Sequence, residues 1–207
     1  MITSQADTMN ADLQEGMTPQ GALARLRDGN ARFVAGATVE RDLHDQVRET
    51  SSGQFPFAIL LGCVDSRVPV ETVFDQGIGD VFAARVAGNV INEDLLGSME
   101  FACKIAGSKA VVVLGHTSCG AVKGAIAGAR LGNLTGLVKK IEPAIDATEA
   151  DPQGDGFADL VAETNVRLGV SAIREQSETL AEMERDGEIV IVGAMYDVAT
   201  GAVRFLD

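Results

Sequence analysis

Two short stretches carry side chains whose types and spacing could do chemistry. Cys63 opens the run Cys-Val-Asp-Ser-Arg (63–67), and His116 opens His-Thr-Ser-Cys-Gly (116–120). Cys63, His116 and Cys119 together offer two thiolates and an imidazole, a donor set that suits zinc. Three protein ligands leave one tetrahedral corner free, the mark of a catalytic rather than a structural zinc. Taken singly, each residue has a plainer reading. A cysteine at a strand end is commonly a small buried hydrophobe, and a lone histidine a satisfied core residue. Their joint arrival at two strand ends is what favours a metal. Cys103 lies in a predicted helix without a partner motif and reads as core packing. His44 lies in a charged, irregular stretch and reads as exposed.

Asp65 and Arg67 follow the first of these ligands on what must be a tight loop. A carboxylate beside a guanidinium forms a charge-assisted pair that can be bidentate. Without the cysteine, that pair reads equally well as a clamp on the loop. Next to a zinc, it could orient Asp65 to accept a proton from metal-bound water. Such help is useful because two thiolates neutralise the ion and weaken it as a Lewis acid. Asp65 could also swing onto the metal and close the site.

These residues need a scaffold that brings distant stretches together. The segments at 55–63, 81–86, 109–115 and 188–195 are short apolar runs without alternation, as expected for strands covered on both faces. Helical stretches separate them: one opening at Pro69 with Val70, Val73 and Phe74, one after Asn92 with Leu95, Leu96, Met99 and Ala106, and one after Cys119. A longer one runs from Phe157 to Glu184, with a break or strain expected at Gly169. Alternating strands and helices predict an α/β fold, a mostly parallel sheet with helices on both faces. A turn near Asp197–Gly201 leads to a last strand, Val203–Leu206, predicted antiparallel at an edge. In such sheets ligands bind beyond the carboxyl ends of the strands, where Cys63, His116 and Cys119 would meet.

Ahead of the sheet, Thr18-Pro19 is a helix start, and Ala22, Leu23, Leu26 and Phe33 mark an apolar face ending near Gly36. Residues 1–17 read as a mobile tail or exchanged arm, and 37–53 carry weak structure signals. The predicted organisation is therefore a tail and helical arm over 1–53 and a zinc-binding catalytic unit over 54–207, in one domain. The 207 residues are too few for two ordinary domains, and 46% hydrophobic against 23% charged residues argues for a packed globular chain. No apolar run approaches eighteen residues, so no membrane span is expected. Thirty acidic against seventeen basic residues give a formal charge of −13, which makes nucleic acid an unexpected partner. The opening residues lack a basic start and apolar centre, which points to the cytoplasm, and three cysteines do not make a disulfide framework.

CVDSR followed some fifty residues later by HTSCGA resembles the signature of the β-class carbonic anhydrases. The resemblance extends to DQGIGDVFAARVAGN (75–89), SMEFA (98–102) and the terminal MYDVATG, and covers about residues 18–207. It implies a zinc cofactor on Cys63, His116 and Cys119, with Asp65 and Arg67 as a catalytic dyad. Asp65 would also be the ligand that replaces water in closed forms. It further implies that Gln76 reaches bicarbonate or carbon dioxide from a neighbouring subunit, and that a backbone amide at Gly120 lines the substrate pocket. Subunits of the family pair through helical arms, so a homodimer or dimer of dimers is expected. The implied reaction is reversible hydration of carbon dioxide to bicarbonate and a proton by a zinc-bound hydroxide, with no histidine standing out as a proton shuttle.

Some positions depart from the family pattern. Val64 stands where many members have serine, and is expected to face the core. Leu60 replaces a tryptophan that one subgroup uses in a regulatory bicarbonate pocket. Arg85 and Tyr196 could match other parts of that pocket, but the chain contains no tryptophan. The sequence thus resembles members with a constitutively open site. Two other readings stand beside this one: a same-fold hydrolase of carbonyl sulfide or carbon disulfide, and a non-catalytic zinc protein with Asp65 locked on the metal.

Overall fold

The computed structural model describes residues 7–206, so the first six residues of the expected tail lie outside it. Three helices come first: α1 (Ala11–Glu15), α2 (Pro19–Ala35) and α3 (Leu43–Glu49). Strand β1 (Ala58–Gly62), helix α4 (Val70–Val73), strand β2 (Val81–Arg85), helix α5 (Glu93–Glu100) and strand β3 (Ala110–His116) follow. Then come α6 (Gly120–Ile126), α7 (Gly132–Lys139), α8 (Glu142–Asp146), α9 (Phe157–Gln176) and α10 (Glu178–Arg185). Strands β4 (Val190–Tyr196) and β5 (Val203–Leu206) complete the chain.

The five strands lie in the order β2-β1-β3-β4-β5, parallel except for β5, which pairs antiparallel with β4. This is the predicted α/β architecture with its antiparallel edge. All residues of β1 and β3 are buried, which explains their unbroken apolar runs. Successive side chains alternate between two cores. Ile59, Leu61, Val111 and Val113 face the layer that includes α5, α6 and α9. Leu60, Val112 and Leu114 face Leu26 of α2 and Val70 and Val73 of α4. β2 differs from the expectation of a strand covered on both faces, because as the sheet edge it stays partly exposed along its whole length. Among the described residues, no helix is long and apolar enough to cross a membrane.

Several local expectations change. From Met9 onward the supposed tail packs on its own chain: Met9 is buried, and Asn10 caps α1. Gln14 is also buried, its Nε2 donating to the carbonyls of Pro56 and Ala106 at 2.8 Å. The weakly patterned 37–53 stretch contains α3, started by Asp42, whose carboxylate accepts the N–H groups of His44 and Asp45. His44 is exposed as expected, but in a helical turn. α9 continues through Gly169, which lies against Val113 and Ile91. The break falls at Ser177, whose extended backbone ends α9 and whose hydroxyl caps α10.

α2 behaves as expected, capped by Thr18 and ended by Gly36 in the left-handed region (φ 65°). Its attachment depends on a buried carboxylate. Asp75, at φ 47°, accepts from Arg32 Nε at 2.5 Å and Arg41 Nη1 at 2.6 Å, while Arg41 Nη2 reaches its carbonyl at 2.6 Å. Burial opposes the charge on Asp75, yet Arg41, Arg32 and the Val39 amide hold its pKa below the ordinary value. A depressed folded-state pKa stabilises the fold above the unfolded-state value, and that stability is lost as pH falls through the folded one. Asn tolerates the left-handed backbone, so Asp75→Asn removes the charge alone. It should cost about 3 kcal/mol at pH 7 by urea unfolding, because it removes the buried charge that Arg32 and Arg41 both bind. The gap from wild type should narrow below about pH 4; an equal gap at pH 7 and pH 3 would refute this account.

Candidate metal centre

β1 and β3 are parallel neighbours, with Leu61 level with Val113. Cys63 therefore follows the end of β1 where His116 ends β3, and Cys119 lies three residues on, just before α6. All three side chains are buried, and one potential ligand atom from each lies within 4.8 Å of the other two. His116 Nδ1 lies 2.9 Å from the Thr117 carbonyl, which can only accept, so the ring proton belongs on that nitrogen. Nε2 is then a lone-pair donor. It is buried and has no hydrogen-bond partner. A buried acceptor facing two sulfurs is what a metal ion would satisfy, so the residues fit a zinc site.

The sulfurs are prepared for that role. A hydrogen bond from Cys119 lowers the Cys63 pKa against the effect of burial, aided by the Gly88 and Asp65 amides. The Gly88 N–H lies 3.3 Å from Cys63 Sγ. Cys119 moves the other way, because it shares its proton with Cys63 and is buried. A metal would replace the shared proton.

Asp65 sits beside this group, with Oδ2 3.9 Å from His116 Nε2. Arg67 grips it with three donors: its amide (3.0 Å) and Nε (2.9 Å) on Oδ1, and Nη2 (2.8 Å) on Oδ2. The guanidinium bond outweighs burial and holds the Asp65 carboxyl well below the usual range. Arg67 Nη2 also reaches the Ser118 carbonyl at 3.2 Å, joining the two ligand loops.

Of the other residues singled out in the sequence, Gly120 opens α6, with free space where a Cβ would project. Gln76 is buried and hydrogen-bonded to the Phe74 carbonyl and to Arg25, neither of which belongs to the metal group. Leu60 is fully buried and Tyr196 nearly so. Val64 does not face the core: it is 56% exposed, because backbone bonds rather than its side chain hold the loop. Arg85 makes two of those bonds, from Nε to the Cys63 carbonyl (2.9 Å) and from Nη2 to the Asp65 carbonyl (2.6 Å).

Two residues at the site were missed in the sequence. Asn165 Nδ2 donates to the Gly88 carbonyl at 2.9 Å, holding the residue whose amide meets Cys63. Asp159 Oδ1 accepts the Ser118 N–H at 2.7 Å. Asn165 had a readable signal, a polar residue inside the buried α9 stripe of Val161, Ala162 and Val166. Asp159 had none.

A parallel sheet whose strand ends gather two cysteines and a histidine beside a paired carboxylate defines an α/β enzyme with a place for a metal ion. Comparison with known proteins agrees. The family model described as carbonic anhydrase matches residues 58–203. Carbonic anhydrase 2 of Mycobacterium tuberculosis is 36% identical over 195 residues, covering 91% of this chain and 93% of its own. The carbonic anhydrase of Mycolicibacterium smegmatis is 36% identical over 192 residues, covering 90% and 92%. Among solved structures, the β-carbonic anhydrase CafA of Aspergillus fumigatus superposes with a TM-score of 0.72 at 29% identity, covering 91% of this chain and 90% of that one. The chain belongs to the carbonic anhydrase family, in its β class.

The third cysteine is a different case. Burial pushes the Cys103 thiol up to about 12, and it packs in the core as expected. At pH 8 in the folded protein, Cys103 should resist a small alkylating reagent for hours by mass spectrometry. Modification within minutes would show that the segment around Cys103 opens readily.

Proposed function

We propose that this chain catalyses the reversible hydration of carbon dioxide to bicarbonate and a proton, with zinc held by Cys63, His116 and Cys119. The reading rests chiefly on the unpartnered Nε2 of His116, buried among two sulfurs with the Asp65 carboxylate 3.9 Å away. Zinc, when bound, supplies the Lewis acidity that lowers the pKa of a coordinated water toward about 7.

The protein's own groups then orient the reaction. Asp65 keeps lone pairs beyond those used by Arg67, and accepts a hydrogen bond from the O–H of the nucleophile. That bond turns a nucleophile lone pair toward the carbon of carbon dioxide. Arg67 keeps Asp65 ionised and drawn off the metal position, which favours the open over the closed form. The Gly120 amide and Gln76 complete the substrate pocket, Gln76 from a neighbouring subunit. A homodimer or dimer of dimers accords with the exposed β2 edge and a groove of about 800 Å³ beside it, which includes Phe82, Leu95 and Phe101. With only two histidines in the chain, neither standing out as a shuttle, the proton leaves through buffer or through a relay of other groups. Three unpaired cysteines suit the reducing cytoplasm.

Asp65→Ala should bind zinc in full amount yet lose about 10²-fold in kcat by stopped-flow hydration. Cys119→Ala should lose the metal itself. The dyad assignment fails if Asp65→Ala retains wild-type turnover. Faster conversion of carbonyl sulfide or carbon disulfide by the same preparation would move the substrate assignment to those gases.

A further inference from the structure

Ser118, between two of the three ligands, is one of three non-glycine residues with positive φ among those described, at 56°. That conformation is unfavourable for a residue with a Cβ, so something must hold it. Its neighbours supply the grip. The Ser118 N–H donates to Asp159 Oδ1 at 2.7 Å, and its carbonyl accepts from Arg67 Nη2 at 3.2 Å. The preceding residue, Thr117, donates its N–H to the Tyr196 carbonyl at 2.9 Å, and its own carbonyl orients His116 Nδ1. The reversal at Ser118 therefore sets where His116 and Cys119 sit relative to each other and gives Arg67 its second anchor.

Resting on the carbonic anhydrase reading, we propose that Asp159 is a positioning residue for the metal centre, which locks Ser118 in the left-handed turn that brings His116 and Cys119 onto one ion. Asp159 meets the ligand loop through the Ser118 peptide and acts through it. The plainer role for a carboxylate in the first turn of α9 is to offset the helix dipole. The two roles separate by substitution at Ser118. Glycine adopts positive φ without penalty, and both Ser118 bonds run through the backbone, so Ser118→Gly should make the lock dispensable.

Zinc dissociation constants from chelator competition provide the measurement, with hydration rates on the same samples. Asp159→Ala should weaken zinc binding about tenfold, the scale found for partners that orient metal ligands. Asp159→Asn, which keeps an acceptor oxygen, should remain within about twofold of wild type. Asp159→Ala in the Ser118→Gly background should bind zinc as tightly as Ser118→Gly alone. That last comparison holds even if Asp159→Ala by itself fails to fold. Wild-type affinity in Asp159→Ala, or a tenfold loss that persists in the double variant, overturns the proposal while leaving carbon dioxide hydration intact. A wild-type protein that binds no zinc would overturn the carbonic anhydrase reading and this one with it.

Discussion

Everything at the site depends on two sulfurs and an imidazole nitrogen held within 4.8 Å of one another, away from water. Two thiolates in that space repel, and burial penalises each charge, so the cluster needs positive charge at its centre. A proton between the two sulfurs would meet the need in part: the hydrogen bond between them pulls the Cys63 thiol down, and that bond and burial push the Cys119 thiol up. It leaves His116 Nε2 unpartnered. A divalent cation neutralises both sulfurs and satisfies the nitrogen at once. The fold keeps such an arrangement because strong neighbouring elements specify it.

Those elements act mainly through the backbone. Asn165 fixes the Gly88 carbonyl, and the Gly88 amide meets Cys63. Arg85, the last residue of β2, holds the carbonyls on either side of Val64. Gly88 has φ 69°, a left-handed backbone that is strained for any residue with a Cβ, so glycine suits this approach. β2 is also the exposed sheet edge, so the strand that faces outward is the one that steadies the first ligand loop.

The sequence made the ligands legible because each closes or follows an apolar run, and parallel strands put such ends together. It made the sheet legible because β1 and β3 are too apolar to be half-exposed. What it concealed depended on partners far along the chain. Nothing near Asp75 announces Arg32 and Arg41, and Asp159 meets Ser118 from 41 residues away. Val64 is apolar and β-branched yet faces solvent, because β1 ends at Gly62 and the loop after it is held through its backbone. Gly169 looked like a break because glycine weakens isolated helices, whereas packing against Val113 and Ile91 keeps α9 whole there.

The geometry also bears on the two roles proposed for Asp65, orienting a nucleophile or taking its place. To become a fourth ligand, the carboxylate would have to give up or bend three N–H bonds from Arg67, two of them from a charged guanidinium. Arg67 cannot easily follow it, because Nη2 is also engaged by the Ser118 carbonyl on the opposite loop. Protonation offers no easy release either, since the same guanidinium holds the Asp65 pKa far below neutrality. A carboxylate so held, 3.9 Å from the imidazole nitrogen, is close enough to accept a hydrogen bond from a nucleophile there and would be costly to move onto a metal held by the cluster. The bonds of Arg67 to Asp65 and to the Ser118 carbonyl thus favour the proposed open form, by tying the loop after β1 to the loop after β3.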